Sequence, residues 1–168
     1  KIVENLDAGP IIKKIKIKID KSFTAEKISK NLAKISSESI IEILDNIFNK
    51  KSQFIEQNHK FATYAKKIKK NEAEINWNNS AKKILAKING LNPSPGAWFK
   101  YKEKRYKIWR ATTNEMKGFP GTILDKNFIV ACGDKSLEFI EIQKEGKNKL
   151  LLKNFLTGVK FKQGDMLK

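Results

Sequence analysis

The chain has 168 residues, with 35 Lys and Arg against 18 Asp and Glu, and a formal net charge of +17. This length suits one ordinary domain, or one small domain with a fragment of another. The charge favours a polyanionic partner, because each phosphate neutralised by a cation releases condensed counterions. A genome rich in A and T would also enrich surface positions in lysine, so the charge alone does not identify the partner.

The rarer residue types exclude several kinds of site. The single cysteine, Cys132, excludes an internal disulfide framework and is typical of a reducing compartment. No cluster of Cys and His has metal-ligand spacing, so we expect no metal. The chain has no signal-peptide pattern and no apolar run near 20 residues, which predicts a cytoplasmic protein with no membrane partner.

The first 50 residues predict the end of an α/β domain. Residues 15–19 alternate Ile and Lys with period two, which is typical of a strand with one buried face. Amphipathic helices are predicted over 24–35 and 37–48, where apolar residues recur at i, i+3 and i+4. One strand and two helices cannot build a core, so we expect this region to pack against structure outside itself.

The next segments predict a linker, a helix and a rigid corner. Residues 51–76 are polar and are interpreted as a linker. Residues 80–88 predict a short helix, with Ser80 as its N-cap and Gly90 just past its end. A corner in NPSPG follows, where two prolines fix the backbone and Gly96 allows a turn.

The remainder predicts a small closed barrel of the OB type. Short strands separated by turn signals are expected at 98–101, 105–111, 121–124, 127–132, 136–143 and 149–152. In the first two strands, apolar residues are interleaved with Lys and Arg. Strand alternation predicts an apolar inward face that carries Trp98, Tyr106, Ile108 and Trp109, with the cations on the solvated side.

Two separated motifs resemble a known family. The segment NLDAGPII is similar to the LDTGD or LDGGP signature near the end of the catalytic domain in tetrahydrofolate-dependent formyltransferases. The segment FATYAKKIKKNEAEINWNNSAKKILAKINGLNPSPGAWF resembles the junction and start of the C-terminal domain in the methionyl-tRNA formyltransferase family. FPGTI, VACGD and LTGVKFKQGDML agree with the rest of that domain. Asn89-Gly90 and Asn76 depart from the pattern, where the family carries an arginine and an aspartate.

The resemblance implies a division of the chain and an activity. Residues 1–50 would be the C-terminal part of a Rossmann-like catalytic domain, 51–76 the linker, and 77–168 an OB-like tRNA-binding domain. The family transfers a formyl group from 10-formyltetrahydrofolate to the amino group of Met on initiator tRNA, as a monomer. The catalytic Asn and His motif and most of the folate site are not in these residues, which implies that the chain alone is inactive.

The resemblance also implies the site residues. Formyl transfer needs proton transfers and oxyanion stabilisation, and the family's acid matches Asp7, which the sequence alone would interpret as a turn residue. Cations that would contact tRNA phosphates stand in the linker, in the first two barrel strands and in the turn between those strands. A solvated charged surface is the other interpretation. These cations are Lys67, Lys70, Lys100, Lys102, Lys104, Arg105, Lys107 and Arg110.

Two alternatives stay open at this point. A sugar-nucleotide formyltransferase or a formyltetrahydrofolate hydrolase-type relative would share the same two-domain plan. Their small substrates give no reason for 16 basic against 8 acidic residues over 90–168, which favours tRNA. The other alternative is a non-catalytic RNA-binding remnant, which would need no folate site.

Overall fold

The computed structural model describes residues 1–159 and 161–168, so Lys160 of the LTGVKFKQGDML motif lies outside the described residues. The chain divides into two compact units. Unit 1 comprises residues 1–20 and 27–67, and unit 2 comprises residues 21–26 and 68–168. Within the described ranges, no helix combines the length and the apolar character that crossing a membrane requires.

Helix α1 (Ala25–Phe48) supplies most of the regular structure of unit 1. The prediction of two helices is wrong, because the chain continues as one helix through the serines at its centre. The Ser37 hydroxyl donates to the Lys34 carbonyl at 2.7 Å, and the Ser39 hydroxyl donates to the Ile35 carbonyl at 2.8 Å. These bonds satisfy the hydroxyls inside the helix, so the serines do not end it.

The strand predicted over 15–19 is not formed. The strand-like pairing in unit 1 is a single antiparallel bridge, in which Ile11 and Ile55 exchange backbone hydrogen bonds of 2.8 and 2.9 Å. No described segment pairs with 15–19, and a strand needs a neighbour to receive its N–H and C=O groups. The alternation of Ile and Lys over 15–19 is therefore not sufficient to form a strand. A single turn of 3-10 helix, His59–Phe61, follows the bridge.

Unit 1 has no buried apolar core in its described residues. The buried hydrophobic side chains all lie between Ala73 and Leu167. None of the residues of α1 is buried, which agrees with the expectation that the first 50 residues cannot build a core of their own. The large apolar side chains that α1 exposes are Leu32, Ile40, Ile41, Leu44, Ile47 and Phe48.

Unit 2 is a mostly antiparallel sheet flanked by short helices. A 3-10 turn at Lys70–Ala73 precedes helix α2 (Ala81–Gly90), whose N-cap is confirmed as Ser80 because its hydroxyl accepts from the Lys83 N–H at 3.3 Å. The expectation that Gly90 lies past the end of α2 is wrong. Gly90 is the last residue of the helix, and Leu91 is its C-cap.

In the residues that the structure describes, five strands form the sheet, with the order β1-β2-β4-β3 and with β5 paired to β4. All four pairings are antiparallel. The predicted strands are confirmed in place with altered bounds, except that 121–124 contributes bridges rather than a strand. The elements are β1 (Ala97–Tyr101), β2 (Lys104–Asn114), β3 (Ile129–Ala131), β4 (Ser136–Lys144), β5 (Leu150–Leu151) and α3 (Leu152–Gly158).

The named strands leave the sheet open, because β1 and β3 do not pair with each other. The chain's last residues connect these two edges. Lys168 exchanges backbone hydrogen bonds of 2.7 and 2.9 Å with Lys100 in β1, and the Leu167 N–H donates to the Gly121 carbonyl at 2.9 Å. The Gly121 N–H in turn donates to Ala131 in β3 at 2.9 Å. We call residues 161–168 the closing segment.

The core between these elements is aromatic. The ring of Phe99 lies 5.5 Å from that of Tyr106 and 5.9 Å from that of Phe139, measured between centroids. Phe161 of the closing segment stacks on Phe128 at 4.1 Å. Aromatic pairs of this kind contribute about 0.5–1.5 kcal/mol each beyond their buried area, so the closing segment is held by side chains as well as by its backbone.

The prediction for the inward face is half right. Tyr106 and Ile108 lie inward and are 3% and 0% exposed, respectively. Trp98 and Trp109 do not share that face, because neighbouring residues of a strand point to opposite sides. Trp98 is covered on the outer side, where its indole N–H donates to the Lys70 carbonyl at 3.2 Å.

We predict that Leu167→Ala destabilises the protein by ~2–5 kcal/mol, because it empties a core position in the closing segment. Leu167 is only 3% exposed, whereas its neighbour Met166 is 48% exposed. Urea unfolding followed by circular dichroism measures the change. Met166→Ala is the control and should stay within about 0.5 kcal/mol of the parent. If the two substitutions changed the free energy of unfolding equally, Leu167 would not anchor the closing segment in the core.

Candidate nucleic-acid interface

The outer side of β1 and β2 carries a row of cations between two indoles. The register places Lys107 opposite Trp98, and Arg105 opposite Lys100. We call Trp98, Lys100, Arg105, Lys107 and Trp109 the outward face. Like charges directly across a strand pair destabilise a sheet, so the juxtaposition of Lys100 and Arg105 is not explained by folding alone.

Two of these cations lie over aromatic rings. The Arg105 guanidinium is 4.6 Å from the centroid of the Trp98 ring, and the Lys107 ammonium is 5.5 Å from the Trp109 ring. Each contact of this type contributes about 0.5–1 kcal/mol at an exposed site. The rings orient the two charged groups without neutralising their charge, so the charge remains available to an anion.

The predicted corner packs against the β2 side chains of the outward face. Gly96 has φ +81°, and a Cβ atom there would lie 3.1 Å from Cδ of Lys107 and 3.2 Å from the Trp109 ring. Glycine is required because of both the backbone conformation and the close approach. The Asn92 side chain donates to the Trp109 carbonyl at 2.8 Å, which fixes the corner to β2.

The hairpin that joins β1 to β2 holds two more of the predicted cations, Lys102 and Lys104. Lys102 and Glu103 have φ of 47° and 58°, as in a two-residue type I′ turn. The Lys102 ammonium lies 4.9 Å from the centroid of the Tyr101 ring, and hydrogen bonding to the Tyr101 hydroxyl raises the pKa of Lys102. Lys104 is exposed.

Tyr101 also connects the hairpin to the closing segment. Its hydroxyl donates to the Asp165 carboxylate. This hydrogen bond is the main reason that the pKa of Asp165 is lowered, and a backbone bond from Lys162 adds to it. The Asp165 carboxylate is therefore engaged by Tyr101.

The remaining cations predicted to bind tRNA differ in their surroundings. Arg110 forms an ion pair of 3.3 Å with Glu141, so part of its charge is already compensated. Lys70 is exposed at the start of the 3-10 turn in unit 2. Lys67 is exposed at the end of unit 1. The structure thus brings Lys100, Arg105 and Lys107 together on one face, with Lys102 and Lys104 at its edge.

Asp7 lies in unit 1, in the turn that the sequence indicated. Its φ is 53°, which aspartate tolerates in turns, and its carbonyl accepts from the Gln57 side chain at 2.9 Å. Asp7 lines a cavity of about 410 Å³ together with Gly9, Ile12, Gln57 and other residues. Among the described residues, no group of three or more His, Cys, Asp or Glu could hold a metal ion.

Sequence reasoning missed the contribution of β4 to this surface. Gln143 accepts from the Trp109 indole N–H at 2.9 Å, and the backbone N–H of Glu145 donates to the Arg105 carbonyl at 3.0 Å. No motif marks these residues. Their role follows from the pairing of β2 with β4, which is irregular around Trp109.

Residues 67–160 match the family described as the formyl transferase C-terminal domain. The chain therefore belongs to the formyl transferases. Among its curated relatives, the methionyl-tRNA formyltransferase of Pelagibacter ubique is 44% identical over 168 residues, covering 99% of this chain and 54% of that protein. The methionyl-tRNA formyltransferase of Carboxydothermus hydrogenoformans is 38% identical, covering 92% of this chain and 52% of that protein. The resemblance seen in the sequence is confirmed, and the chain spans about half the length of these relatives.

Solved structures show the same fold. A variant of HypX from Aquifex aeolicus superposes with a TM-score of 0.70 at 21% identity, covering 99% of this chain and 33% of that one. The N-formyltransferase from Helicobacter canadensis, in complex with folinic acid and dTDP-3-aminofucose, gives a TM-score of 0.61 at 18% identity, covering 85% of this chain and 53% of that one. At these identities the likeness concerns the fold.

We predict that Asp165 makes stability fall in acid. Its folded-state pKa is lowered, so its contribution is present above the unfolded pKa of about 3.9 and is lost as the pH falls through the folded-state value. Thermal unfolding of the parent and of Asp165→Asn between pH 7 and pH 2 measures this. The two curves should differ most at neutral pH and converge in acid. A constant difference across the range would contradict the assignment.

Proposed function

We propose that this chain serves methionyl-tRNA formyltransferase activity, the transfer of a formyl group from 10-formyltetrahydrofolate to the amino group of Met on the initiator tRNA. The reaction would take place in the cytoplasm and support translation initiation. The observation that carries the proposal is the outward face, where Lys100, Arg105 and Lys107 lie side by side in a domain of the formyl transferase family. A phosphate backbone would supply the charge that this face lacks.

The proposed functional regions do not coincide fully with the two compact units of the chain, because the proposed linker spans the boundary at residues 67 and 68. Residues 1–50 would end a Rossmann-like catalytic domain, 51–76 would be the linker, and 77–168 would bind tRNA. We further propose that the sheet and the closing segment together form an OB-like barrel. The hydrogen bonds from Lys168 to β1 and from Leu167 to Gly121 support closure. We expect the whole enzyme to act as a monomer.

The cations would contribute unequally to tRNA binding. Arg105 and Lys107 are oriented by indoles and would lose little entropy on binding, so we assign them the main phosphate contacts. Lys100, Lys102 and Lys104 would add contacts at the edge, with Lys67 and Lys70 contacting the tRNA from the linker. Arg110 would contribute least, because it must first leave Glu141. Such contacts position an RNA without reading its sequence.

Asp7 would act at the rim of the transfer site. The attacking amine must lose a proton and the leaving folate nitrogen must gain one, and a carboxylate at the edge of the site can organise these transfers. The Asp7 carboxylate would act together with other catalytic groups. When catalytic groups act as a unit, removing one of them removes most of the effect of the others. We therefore expect no formyl transfer from these 168 residues by themselves.

Two other functions are less well supported. A sugar-nucleotide formyltransferase would not need a row of cations on β1 and β2, and the similarity to the Helicobacter canadensis enzyme concerns the fold alone at 18% identity. An RNA-binding protein without catalysis would use the same outward face and would not need Asp7. The formylation experiment below separates this second case from the proposal.

We predict that the 168-residue chain binds tRNA in a salt-dependent way. Filter binding between 50 and 300 mM KCl should show the logarithm of the association constant falling linearly with the logarithm of the salt concentration. Each lost phosphate contact should make this slope shallower by about 0.7–0.9. Lys107→Ala should lower the slope, and Arg110→Ala should change it less because of the Glu141 ion pair. A salt-independent affinity, or no binding at low salt, would contradict the proposal.

We predict that Asp7→Asn lowers kcat in a whole enzyme by about 10²–10⁴-fold, the usual size of acid–base catalysis. The suitable enzyme is a chimera in which this chain replaces the matching half of the 44%-identical Pelagibacter ubique protein. Formylation of Met-tRNA by the chimera is the readout. Asp45→Asn, on exposed α1, is the control and should retain full activity. Unchanged kcat in Asp7→Asn would remove Asp7 from the mechanism.

A further inference from the structure

The cationic surface of β1 and β2 continues onto the closing segment. Lys168 exchanges two backbone hydrogen bonds with Lys100, so the two residues are directly opposite each other and their side chains point to the same side. Lys100 is also directly opposite Arg105 in β2. The three cations therefore form one row across three neighbouring segments, and Lys168, which is exposed, is a member that the sequence did not indicate.

The same surface then passes from the closing segment to residues 121–124. Thr122 and Met166 form an antiparallel bridge, and the Thr122 hydroxyl donates to Met166 Sδ at 3.0 Å. Met166 and Lys168 are both exposed, whereas Leu167 between them is buried, which is the alternation of an extended chain. Met166 and Lys168 thus lie on the same side of the closing segment, with Thr122 beside Met166.

Phe119 lies at the end of this surface, in the first position of a tight turn. The Thr122 N–H donates to the Phe119 carbonyl at 3.0 Å. Pro120 and Gly121 occupy the two central positions, and Gly121 has φ +86°, as in a type II turn. The Gly121 N–H donates to Ala131 in β3 at 2.9 Å, so the turn is fixed by its backbone and does not need the Phe119 ring for support.

The Phe119 ring is 73% exposed, which distinguishes it from the other phenylalanines of residues 68–168. Those rings lie in the core or pack against it, and they are Phe99, Phe128, Phe139, Phe155 and Phe161. Met166, at 48% exposed, adds a second apolar side chain to the surface. We call Phe119, Thr122, Met166 and Lys168 the closing-segment surface.

Cations accompany the exposed ring, and acidic groups of the same segments are already engaged. Lys117, two residues before Phe119, is exposed, as is Lys168. The Glu115 carboxylate accepts from the Lys135 ammonium at 2.8 Å, and the Asp165 carboxylate is engaged by Tyr101. An exposed aromatic ring among cations is the arrangement with which proteins bind single-stranded nucleic acid, because the ring stacks on a base while the cations contact phosphates.

We propose that Phe119 stacks on an unpaired base of the bound RNA and that Lys168 contacts a phosphate of the same strand. Identification of this RNA as tRNA rests on the proposed function. Stacking selects an unpaired base, since a base inside a helix is already stacked on its neighbours. The closing-segment surface would therefore recognise a loop or a bulge, whereas phosphate contacts on the outward face position an RNA without reading its bases.

The test compares two labelled oligonucleotides of about eight nucleotides, a length within the usual site size of a single-strand-binding domain. One is a single-stranded RNA, and the other is abasic and carries the same number of phosphates. Binding to the whole chain is followed by fluorescence anisotropy. Phe119→Ala should weaken binding of the RNA by about tenfold and leave binding of the abasic oligonucleotide unchanged, because only the RNA has bases to stack.

Matched substitutions separate stacking from apolar contact. Phe119→Trp keeps an aromatic face and should bind the RNA at least as tightly as the parent. Phe119→Leu keeps an apolar side chain without an aromatic face and should bind as weakly as Phe119→Ala. Thermal unfolding of each variant checks that it folds, and the comparison of the two oligonucleotides on the parent chain depends on no variant.

The phosphate contact of Lys168 has its own readout. Lys168→Ala should make the salt dependence of binding shallower by about 0.7 for both oligonucleotides, since both carry the phosphates. Lys153→Ala, which removes an exposed lysine of α3, is the control and should leave the slope unchanged. Equal slopes for Lys168→Ala and the parent would remove Lys168 from the site.

The outcomes separate this inference from the proposed function. If Phe119→Ala or Phe119→Leu binds the RNA and tRNA like the parent, the stacking site is overturned and the proposed function is unaffected. If RNA binding depends on the Phe119 ring but tRNA does not bind at low salt, the proposed function fails and the stacking site stands. If sedimentation velocity shows a dimer that Phe119→Ala dissociates without changing RNA binding, the ring belongs to a contact between two copies and the inference is wrong.

Discussion

Burial of one side of β1 and β2 is the constraint on which the rest of unit 2 depends. Phe99 and Tyr106 stack at 5.5 Å, and Ile108 is fully buried on the same side. Because side chains alternate along a strand, these contacts determine the direction of every other residue in the pair. A slip of one residue would bring Arg105 and Lys107 into an aromatic core, at the cost of burying unpaired charges. Packing of the aromatic core therefore determines that Arg105 and Lys107 lie on the outer side of the sheet.

The closing segment protects the same arrangement from the other end of the chain. Strand edges with free N–H and C=O groups invite pairing with other chains, and Lys168 occupies part of the edge at β1. Phe161 fills the core between Phe128 and Tyr101, at centroid distances of 4.1 and 4.7 Å. Folding of the sheet and placement of the last eight residues are thus coupled, although the two are far apart in sequence.

The sequence predicted the local features of this fold better than its long-range ones. Proline positions, the Ser80 cap and the alternation in β1 and β2 are local signals, and the structure contains each of them. The strand predicted over 15–19 does not form, because alternation in one segment cannot supply a pairing partner. Trp98 and Trp109 are hydrophobic enough to suggest an inward position, but the register of the strand pair directs them to the outer side. Gln143 and Glu145 could not be found in advance, since their position depends on the register of β4 with β2.

The central claim is that the outward face of β1 and β2 contacts RNA. Ultraviolet cross-linking of tRNA to the chain, followed by mass spectrometry of the cross-linked peptides, tests it most directly. We predict cross-linked nucleotides on peptides from residues 97–110, at or near Trp98 and Trp109. Cross-links confined to α1, with none on these peptides, would contradict it.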